Sequence, residues 1–217
     1  MRRRVSHDDP AVAGDLCRCQ SGSPRIKRMP DALYFTDSDE ANELIARDPL
    51  ALLIGFAIDQ QVTVQQAFSG PLRLRQRIGT LDARAIAGMD PQALEDAFRE
   101  RPAIHRFPRA MAQRVQELCQ VVADEYDGAA ERVWTEAADT ADLRKRIGAL
   151  PGFGKMKVTA LGSVLALRFG VEQAAELVPT HPCLGVVDSH EALAEYQAQK
   201  RAHKASLRAA KAAAPAA

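Results

Sequence analysis

Residues 150–154 have the composition of an anion-binding turn, with the sequence Leu150-Pro151-Gly152-Phe153-Gly154. Glycine lets the backbone approach a ligand closely, and the unpaired N–H groups of a helix N-terminus attract negative charge. Lys155 and Lys157 follow the turn directly and add positive charge beside it. The pattern predicts a site for a phosphate of a nucleic-acid backbone, although a turn that only joins two packed helices has a similar composition.

The elements that position this turn are predicted to be helices. Residues 140–149 precede it, with Thr140 as the expected N-cap, and residues 155–169 follow it with apolar side chains at helical spacing. Other predicted helices cover residues 38–47, 49 onwards, 72–78, 81–87, 91–98 and 108–126, with a break at Ser69-Gly70-Pro71. Asp48 and Asp90 are the expected N-caps of the helices that begin at Pro49 and Pro91. Because no segment alternates apolar and polar residues between turn signals, the sequence predicts an all-α fold.

A chain of 217 residues with 47% apolar residues is long enough for one compact domain or one two-lobed unit. No apolar run reaches the roughly 18 residues that cross a bilayer, and no hydrophobic stretch follows the N-terminal arginines. We therefore expect a cytoplasmic protein. Three segments are predicted: a disordered extension over 1–28, a helical domain over 29–199, and a basic, alanine-rich helix end and tail over 200–217. Met29 offers an alternative translation start.

The net charge of +1 is unevenly distributed along the chain. Residues 1–28 carry seven basic and three acidic residues, and residues 200–217 carry five basic residues and no acidic one. A charge of −8 is left on residues 29–199. A body of this charge binds nucleic acid only where it concentrates positive potential locally, or through its tails.

The sequence predicts no metal site. Four cysteines are scattered along the chain: Cys17, Cys19, Cys119 and Cys183. They lack the spacing of a metal site, so free thiols in a reducing compartment are expected. Three histidines also lack partner spacing that would indicate a metal, so they are interpreted as ordinary surface or hydrogen-bonded residues: His105, His181 and His190.

Residues 140–169 resemble a helix-hairpin-helix motif. The span from about Pro49 to Gly170 resembles the base-excision DNA glycosylase superfamily built around that motif (HhH-GPD). Three landmarks carry the resemblance: an apolar helix ending in Asp59-Gln60-Gln61, the turn Phe107-Pro108-Arg109 before a long helix, and the hairpin itself. Within the superfamily the chain is most similar to an actinobacterial-type group that shares the Asp-Gln-Gln, Ala-Phe-Ser-Gly-Pro and Leu-Pro-Gly-Phe-Gly segments.

The resemblance implies two helical lobes around a DNA-facing cleft, with duplex DNA carrying a damaged or mismatched base as the partner. The implied DNA contacts are Gly152, Phe153, Gly154, Lys155, Lys157, Gln60 and Gln61. Gln61 is the better match to the polar side chain that helps to occupy the gap left by an extruded base. No iron–sulfur cluster is expected, because only Cys183 follows the hairpin. We expect a monomer that is nucleoid-associated when it is bound to DNA.

A glycosylase breaks the C1′–N bond through a transition state with oxocarbenium character, so it needs a carboxylate near the sugar. The superfamily's aspartate usually lies where this chain has Ala174, and the lysine of its bifunctional members lies at Met156. Asp188 is the candidate catalytic carboxylate if the longer connection delivers it to the cleft; otherwise it fits the N-cap of the following helix. Glu172 and Glu176 fit a solvated helix face. Asp59 fits the polar end of a helix and could line a pocket.

The sequence therefore favours a monofunctional DNA glycosylase that releases a damaged base without a Schiff-base lyase step. A second hypothesis is a non-catalytic DNA-binding or lesion-sensing module that has kept the scaffold, since the lysine is missing and the aspartate is displaced. A third is a helical adaptor that binds protein and not DNA.

Overall fold

The computed structural model describes residues 29–213, which form ten α-helices and two short 3-10 helices and contain no strand. The α-helices are α1 (Asp39–Arg47), α2 (Pro49–Ile58), α3 (Val64–Ile78), α4 (Ala83–Ala87), α5 (Pro91–Arg99), α6 (Pro108–Glu125), α7 (Arg132–Thr135), α8 (Thr140–Ala149), α9 (Lys155–Leu167) and α10 (His190–Ala213). The 3-10 helices span Glu172–Leu177 and Leu184–Val186. The all-α prediction is confirmed.

Helix α2 lies at the centre of the fold. Every residue from Leu50 to Ile58 is buried, and the helix is apolar on all sides. A helix without a polar face is stable only when neighbours surround it, and α2 packs against α1, α3 and α6. Each fully buried Leu, Ile or Phe side chain contributes about 1.5–3 kcal/mol through removal from water. This burial fixes the position of the polar residues that follow Ile58.

The helices pack as two groups. Helices α1 to α6 contact one another, whereas α8 and α9 pack with the 3-10 helices, α7 packs on α8, and α10 packs on the second 3-10 helix. Aromatic and polar contacts join the groups. The rings of Phe56 and Phe153 lie 6.5 Å apart, and Gln197 Nε2 donates to Gln65 Oε1 at 2.8 Å. The hairpin therefore sits against the C-terminal end of α2.

Helix α3 corrects the predicted break at Ser69-Gly70-Pro71, because it runs without interruption from Val64 to Ile78. Proline in a helix interior removes one backbone hydrogen bond and costs about 3 kcal/mol. Here Pro71 and Gly70 are buried, and a Cβ on Gly70 would come within 2.4 Å of Ile58 Cδ1. The close packing of α3 on α2 offsets the local preference for a break.

Helix caps agree with the sequence at most positions and differ at two. Asp48 accepts from the Leu50 and Ala51 amides, and Asp90 accepts from the Ala93 amide, as predicted. Helix α8 begins at Thr140, but its cap is Asp139, whose extended backbone lets Oδ1 accept from Asp142 N–H at 2.8 Å.

Helix α10 provides the second difference. Its cap is Ser189, whose Oγ accepts from Ala192 N–H at 3.1 Å. The structural alternative for Asp188, a helix N-cap, is therefore wrong. The residue after it performs that role.

Only part of the predicted division into three segments lies within the described residues. Helix α10 continues through residue 200, where the basic helix end was placed. The predicted extension over residues 1–28, with Cys17 and Cys19, and the final residues 214–217 lie outside the described residues. Within the described part, no helix has the length and apolarity that a bilayer crossing requires.

Candidate nucleic-acid interface

The hairpin turn presents its backbone outward and its large side chains inward. Leu150 and Phe153 are 2% and 5% exposed. Gly152 has φ of +83°, a left-handed conformation that favours glycine, and Phe153 N–H closes the turn on Leu150 O at 3.1 Å. Gly154 then caps α9 with ordinary extended dihedrals and no side-chain bond. Because Phe153 is buried against Phe56, only its backbone is available for the predicted DNA contact.

The first turn of α9 carries free backbone donors. Lys157 and Val158 N–H both donate to Gly154 O, at 2.9 and 3.1 Å. The amides of Lys155 and Met156 have no intrahelical acceptor, as at any helix start, and find no other acceptor in residues 29–213. A 13-residue helix also adds its dipole at this end. The turn can therefore hold an anion through backbone groups.

Three successive side chains of α9 point in different directions, because neighbours on a helix are about 100° apart. Lys155 is exposed, and Met156 is 77% exposed, which makes it a solvent-facing apolar side chain. Lys157 is half-buried and turns towards α2, where its Nζ donates to Ala57 O at 2.9 Å. Burial lowers the Lys157 pKa to about 8; nearby Arg114 adds to this lowering and Asp59 opposes it.

A groove of about 480 Å³ lies at the hairpin. Its walls come from α6, α8, α9, the hairpin turn and the segment after α2, namely Gln60, Arg114, Gly148, Leu150, Gly152, Phe153, Gly154 and Lys157. Five of the seven residues that were predicted as DNA contacts line this groove: Gln60, Gly152, Phe153, Gly154 and Lys157. The groove brings together backbone amides and two cations, Arg114 and Lys157, so it suits a phosphate.

The Gln60–Gln61 turn is exposed and held in a defined conformation. Gln61 has φ of +60°, a left-handed value that is uncommon for a non-glycine residue. The backbone oxygen of Gln60 lies 2.9 Å from Nε2 of His105, a side chain that is 1% exposed. Both glutamine side chains remain exposed beside the groove. The structure thus places the two predicted glutamines next to the hairpin.

Two aspartates are candidates for chemistry, and they have different surroundings. Asp188 is exposed and lies before α10, outside the residues that line the groove. Asp59 is half-buried at the end of α2, and burial raises its pKa, although nearby Lys200 and Lys157 oppose the rise. In the described residues the Asp59 carboxylate has no hydrogen-bond donor. Asp59 and Lys157 are therefore charged neighbours at the edge of the groove.

The remaining carboxylate positions carry no site. Glu172 and Glu176 are exposed on the first 3-10 helix, as expected for a solvated face. Ala174 is 0% exposed, so the position where the superfamily usually has its aspartate is part of the core in this chain. A carboxylate there would be buried and would not reach solvent or DNA.

Two residues of this region were not predicted as site residues from the sequence. Arg114 lies 54 positions after Gln60, and its Nη1 donates to Gln60 Oε1 at 2.7 Å. His105 was interpreted as an ordinary histidine, yet it anchors the Gln60 backbone. No local motif marks either residue, because both contacts join segments that are distant in sequence. The one sequence signal is that Arg114 lies next to the apolar residues of α6, on a half-buried face of the helix.

The geometry defines an all-α helix-hairpin-helix protein with a groove that is lined by backbone amides and two cations and lies beside an exposed polar turn. A family model described as "HhH-GPD superfamily base excision DNA repair protein" matches residues 54–204, which is more than half of the chain. The chain belongs to the HhH-GPD superfamily and is a DNA-binding protein of base excision repair. No curated protein and no solved structure matches it.

Proposed function

We propose that this base excision repair protein is a monofunctional DNA N-glycosylase that acts as a monomer on double-stranded DNA with a damaged base. The observation that carries the proposal is the groove at the hairpin. Free α9 amides and the Lys157 and Arg114 cations lie there beside the exposed Gln60–Gln61 turn. A site that grips the backbone next to a group that can enter the duplex suits base extrusion.

The proposed contact with the DNA backbone is confined to the hairpin, because residues 29–199 carry a net negative charge and positive potential must be concentrated locally. Gly154 has no atom within 4 Å of a Cβ position, so the amides at the start of α9 are uncovered, and exposed Lys155 adds a charge next to them. Lys157 lines the same groove and supplies a second charge. A single phosphate bound here would fix the register of the duplex without reading its sequence.

Gln61 is proposed to contact the distorted duplex. Extruding a base costs a few kcal/mol, and a polar side chain that fills the vacated space recovers part of this cost. The side chain of Gln61 is exposed, while its backbone is set by the turn that His105 holds through Gln60. A rigid backbone lowers the entropy lost when the side chain enters DNA.

The chemistry is proposed to be hydrolysis. When the C1′–N bond breaks, its electron pair leaves with the base, and water adds to C1′ and gives up a proton. Asp188 is proposed as the carboxylate that stabilises the developing positive charge and accepts this proton. Met156 has no amine for a Schiff base, so the product is an intact strand with an abasic site. The reaction is proposed to need no metal or iron–sulfur cluster.

The second candidate function is a non-catalytic lesion-binding module. The specific observation in its favour is that Asp188 is not among the residues that line the hairpin groove. Ala174 is also buried, so the usual aspartate position cannot replace it. This alternative predicts salt-sensitive DNA binding without base release.

The experiment is base release from labelled duplexes that carry uracil, hypoxanthine, alkylated purines, 8-oxoguanine or oxidised pyrimidines. Each reaction is analysed with and without alkali, for the wild-type protein and for Asp188→Asn. Release revealed only by alkali and lost in the variant supports the proposal. Binding without release on any substrate supports the non-catalytic module, and no binding even at low salt supports an adaptor that does not contact DNA.

A further inference from the structure

Arg114 is a half-buried cation that joins the hairpin to the end of α2. Its Nη1 donates to Gln60 Oε1 at 2.7 Å and lies 3.6 Å from Met111 Sδ. Its stem crosses Gly152, where Cδ lies 2.5 Å from the position that a Cβ would occupy. The guanidinium therefore lies between the two elements that are proposed to meet DNA.

The partners of this cation are weak acceptors. A neutral amide oxygen and a thioether sulfur are its side-chain acceptors among the described residues, and no carboxylate there lies within 4.0 Å of it. A guanidinium has five donors in a planar fork that matches phosphate. Arg114 lines the groove together with Gly152, Gly154 and Lys157, so an anion held there would lie beside these donors.

We propose that Arg114 exchanges the Gln60 side chain for a phosphate of the DNA backbone, and that this exchange frees Gln60 to face the duplex. The inference rests on the proposed function, since it assumes that the groove receives DNA. A charge-assisted, bidentate bond between guanidinium and phosphate is about twice as strong as a bond to a neutral amide. The phosphate is therefore the preferred acceptor.

The exchange moves a side chain and leaves the backbone in place. The carbonyl oxygen of Gln60 stays bonded to His105 Nε2, at 2.9 Å, whereas Arg114 binds only the side-chain oxygen of Gln60. Gln60 is thus restrained in the free protein and becomes available only where a phosphate occupies the groove. Arg114 links the grip on the backbone to the turn that meets the base pairs.

The first test measures the salt dependence of binding to an undamaged duplex for the wild-type protein, Arg114→Gln and Arg114→Lys. Loss of one phosphate contact should reduce the slope of log K against log salt by about 0.9 in Arg114→Gln. Arg114→Lys should keep the slope and lose roughly tenfold in affinity, because the fork is lost while the charge remains. The control is Arg99→Gln, since Arg99 pairs with Glu95 on α5 and lies outside the groove.

The second test follows the exchange itself by NMR, through the side-chain amide of Gln60 and the Nε–H of Arg114. Both resonances should shift together as duplex DNA is added to the wild-type protein. In Arg114→Gln, the Gln60 resonance should differ from the wild type before DNA is added, because its Arg114 donor is absent. A Gln60 resonance that does not respond to DNA in the wild-type protein would overturn the exchange.

The outcomes separate this inference from the proposed function. Salt-dependent binding by the wild-type protein, with an unaltered slope in a folded Arg114→Gln, overturns the inference alone. Absence of DNA binding by the wild-type protein overturns both. If thermal melting shows that Arg114→Gln does not fold, the DNA affinity of Arg114→Lys is the deciding measurement. An affinity equal to that of the wild type in Arg114→Lys would contradict the proposal.

Discussion

The Nε2 atom of His105 lies 2.9 Å from the carbonyl oxygen of Gln60 and fixes the turn after α2 to the loop before α6. The other ring nitrogen, Nδ1, accepts from Phe107 N–H at 3.1 Å. Since Nδ1 is an acceptor, the proton is assigned to Nε2, which donates to Gln60. The imidazole is therefore neutral. Burial lowers its pKa, the hydrogen bond to Gln60 opposes this, and the charges of Arg106, Arg114 and Lys157 add to the lowering.

Stability should depend on pH through His105. The unfolded chain takes up a proton near pH 6.5, whereas folded His105 remains neutral to lower pH, so stability falls as the pH drops below about 6.5. His105→Gln keeps a donor for Gln60 and should remove this component, while His105→Ala should cost about 2–4 kcal/mol because it leaves a cavity and an unpaired carbonyl. Urea unfolding at pH 7.5 and 5.5 measures both effects.

The comparison is the difference between wild type and His105→Gln at each pH. It removes contributions that the two proteins share, including that of Asp59, whose raised pKa acts in the opposite direction. An equal pH dependence of the unfolding free energy in both proteins would show that His105 does not cause the loss of stability at low pH.

The two hairpin glycines should respond differently to alanine. Gly152 has φ of +83°, and its Cβ would lie 2.5 Å from Arg114 Cδ, so Gly152→Ala should destabilise the protein by about 1–3 kcal/mol. Gly154 has φ of −86° and no atom within 4 Å of a Cβ, so Gly154→Ala should cost less than about 1 kcal/mol. Urea unfolding compares the two variants.

DNA affinity provides a second measurement for the Gly154→Ala variant. Gly154→Ala should weaken binding in spite of its stability, if a phosphate approaches the backbone at the start of α9. A Gly154→Ala protein with wild-type affinity would place the phosphate elsewhere on the hairpin.

The sequence predicts the hairpin well because its determinants are local. Gly152 needs a left-handed conformation, and the apolar stripes of α8 and α9 place the turn between two helices. Helix caps such as Asp48 and Asp90 are also predicted, since each depends on two or three neighbouring residues. The fold class follows from the same local signals.

Other features depend on contacts that no local pattern records. The break predicted at Pro71 is absent because burial against α2 outweighs the local preference. Arg114 and His105 act on Gln60 from distances of 54 and 45 residues along the chain. The direction of Lys157 depends on Ala57 O, which is available only because α2 ends beside α9. These are tertiary relationships, and a single sequence does not contain them in readable form.

DNA affinity should fall as the pH rises from 7 to 9. Lys157 has a pKa of about 8, so it loses its charge in this range and contributes less to phosphate binding. Lys157→Gln should bind more weakly at pH 7 and should show little change between pH 7 and 9. Lys155→Gln is the matched control, since it removes a neighbouring exposed charge and leaves Lys157 in place. Fluorescence anisotropy at constant salt measures the affinities, and equal pH dependence in all three proteins would contradict the assignment.

Two aspartate variants should differ in stability and in activity. Burial raises the Asp59 pKa in the folded state, so its ionised form is unfavourable and Asp59→Asn should increase stability at pH 7. Asp188 is exposed, and Asp188→Asn should leave stability within about 0.5 kcal/mol of the wild type. If Asp188 is the catalytic carboxylate, base release is lost in Asp188→Asn and retained in Asp59→Asn. The reverse result would transfer the role to Asp59.

The wild-type protein should form no covalent adduct with abasic DNA in the presence of borohydride. A lyase needs an unprotonated amine at C1′. Met156 occupies the position of the superfamily's lysine, and its side chain is 77% exposed at the start of α9. Lys157 has a lowered pKa, but its Nζ donates to Ala57 O at the end of α2 and is not at the exposed position that Met156 occupies. Met156→Lys restores an amine at the exposed position and should give a trapped adduct. An adduct with the wild-type protein that disappears in Lys157→Gln would instead identify Lys157 as a nucleophile and make the enzyme bifunctional.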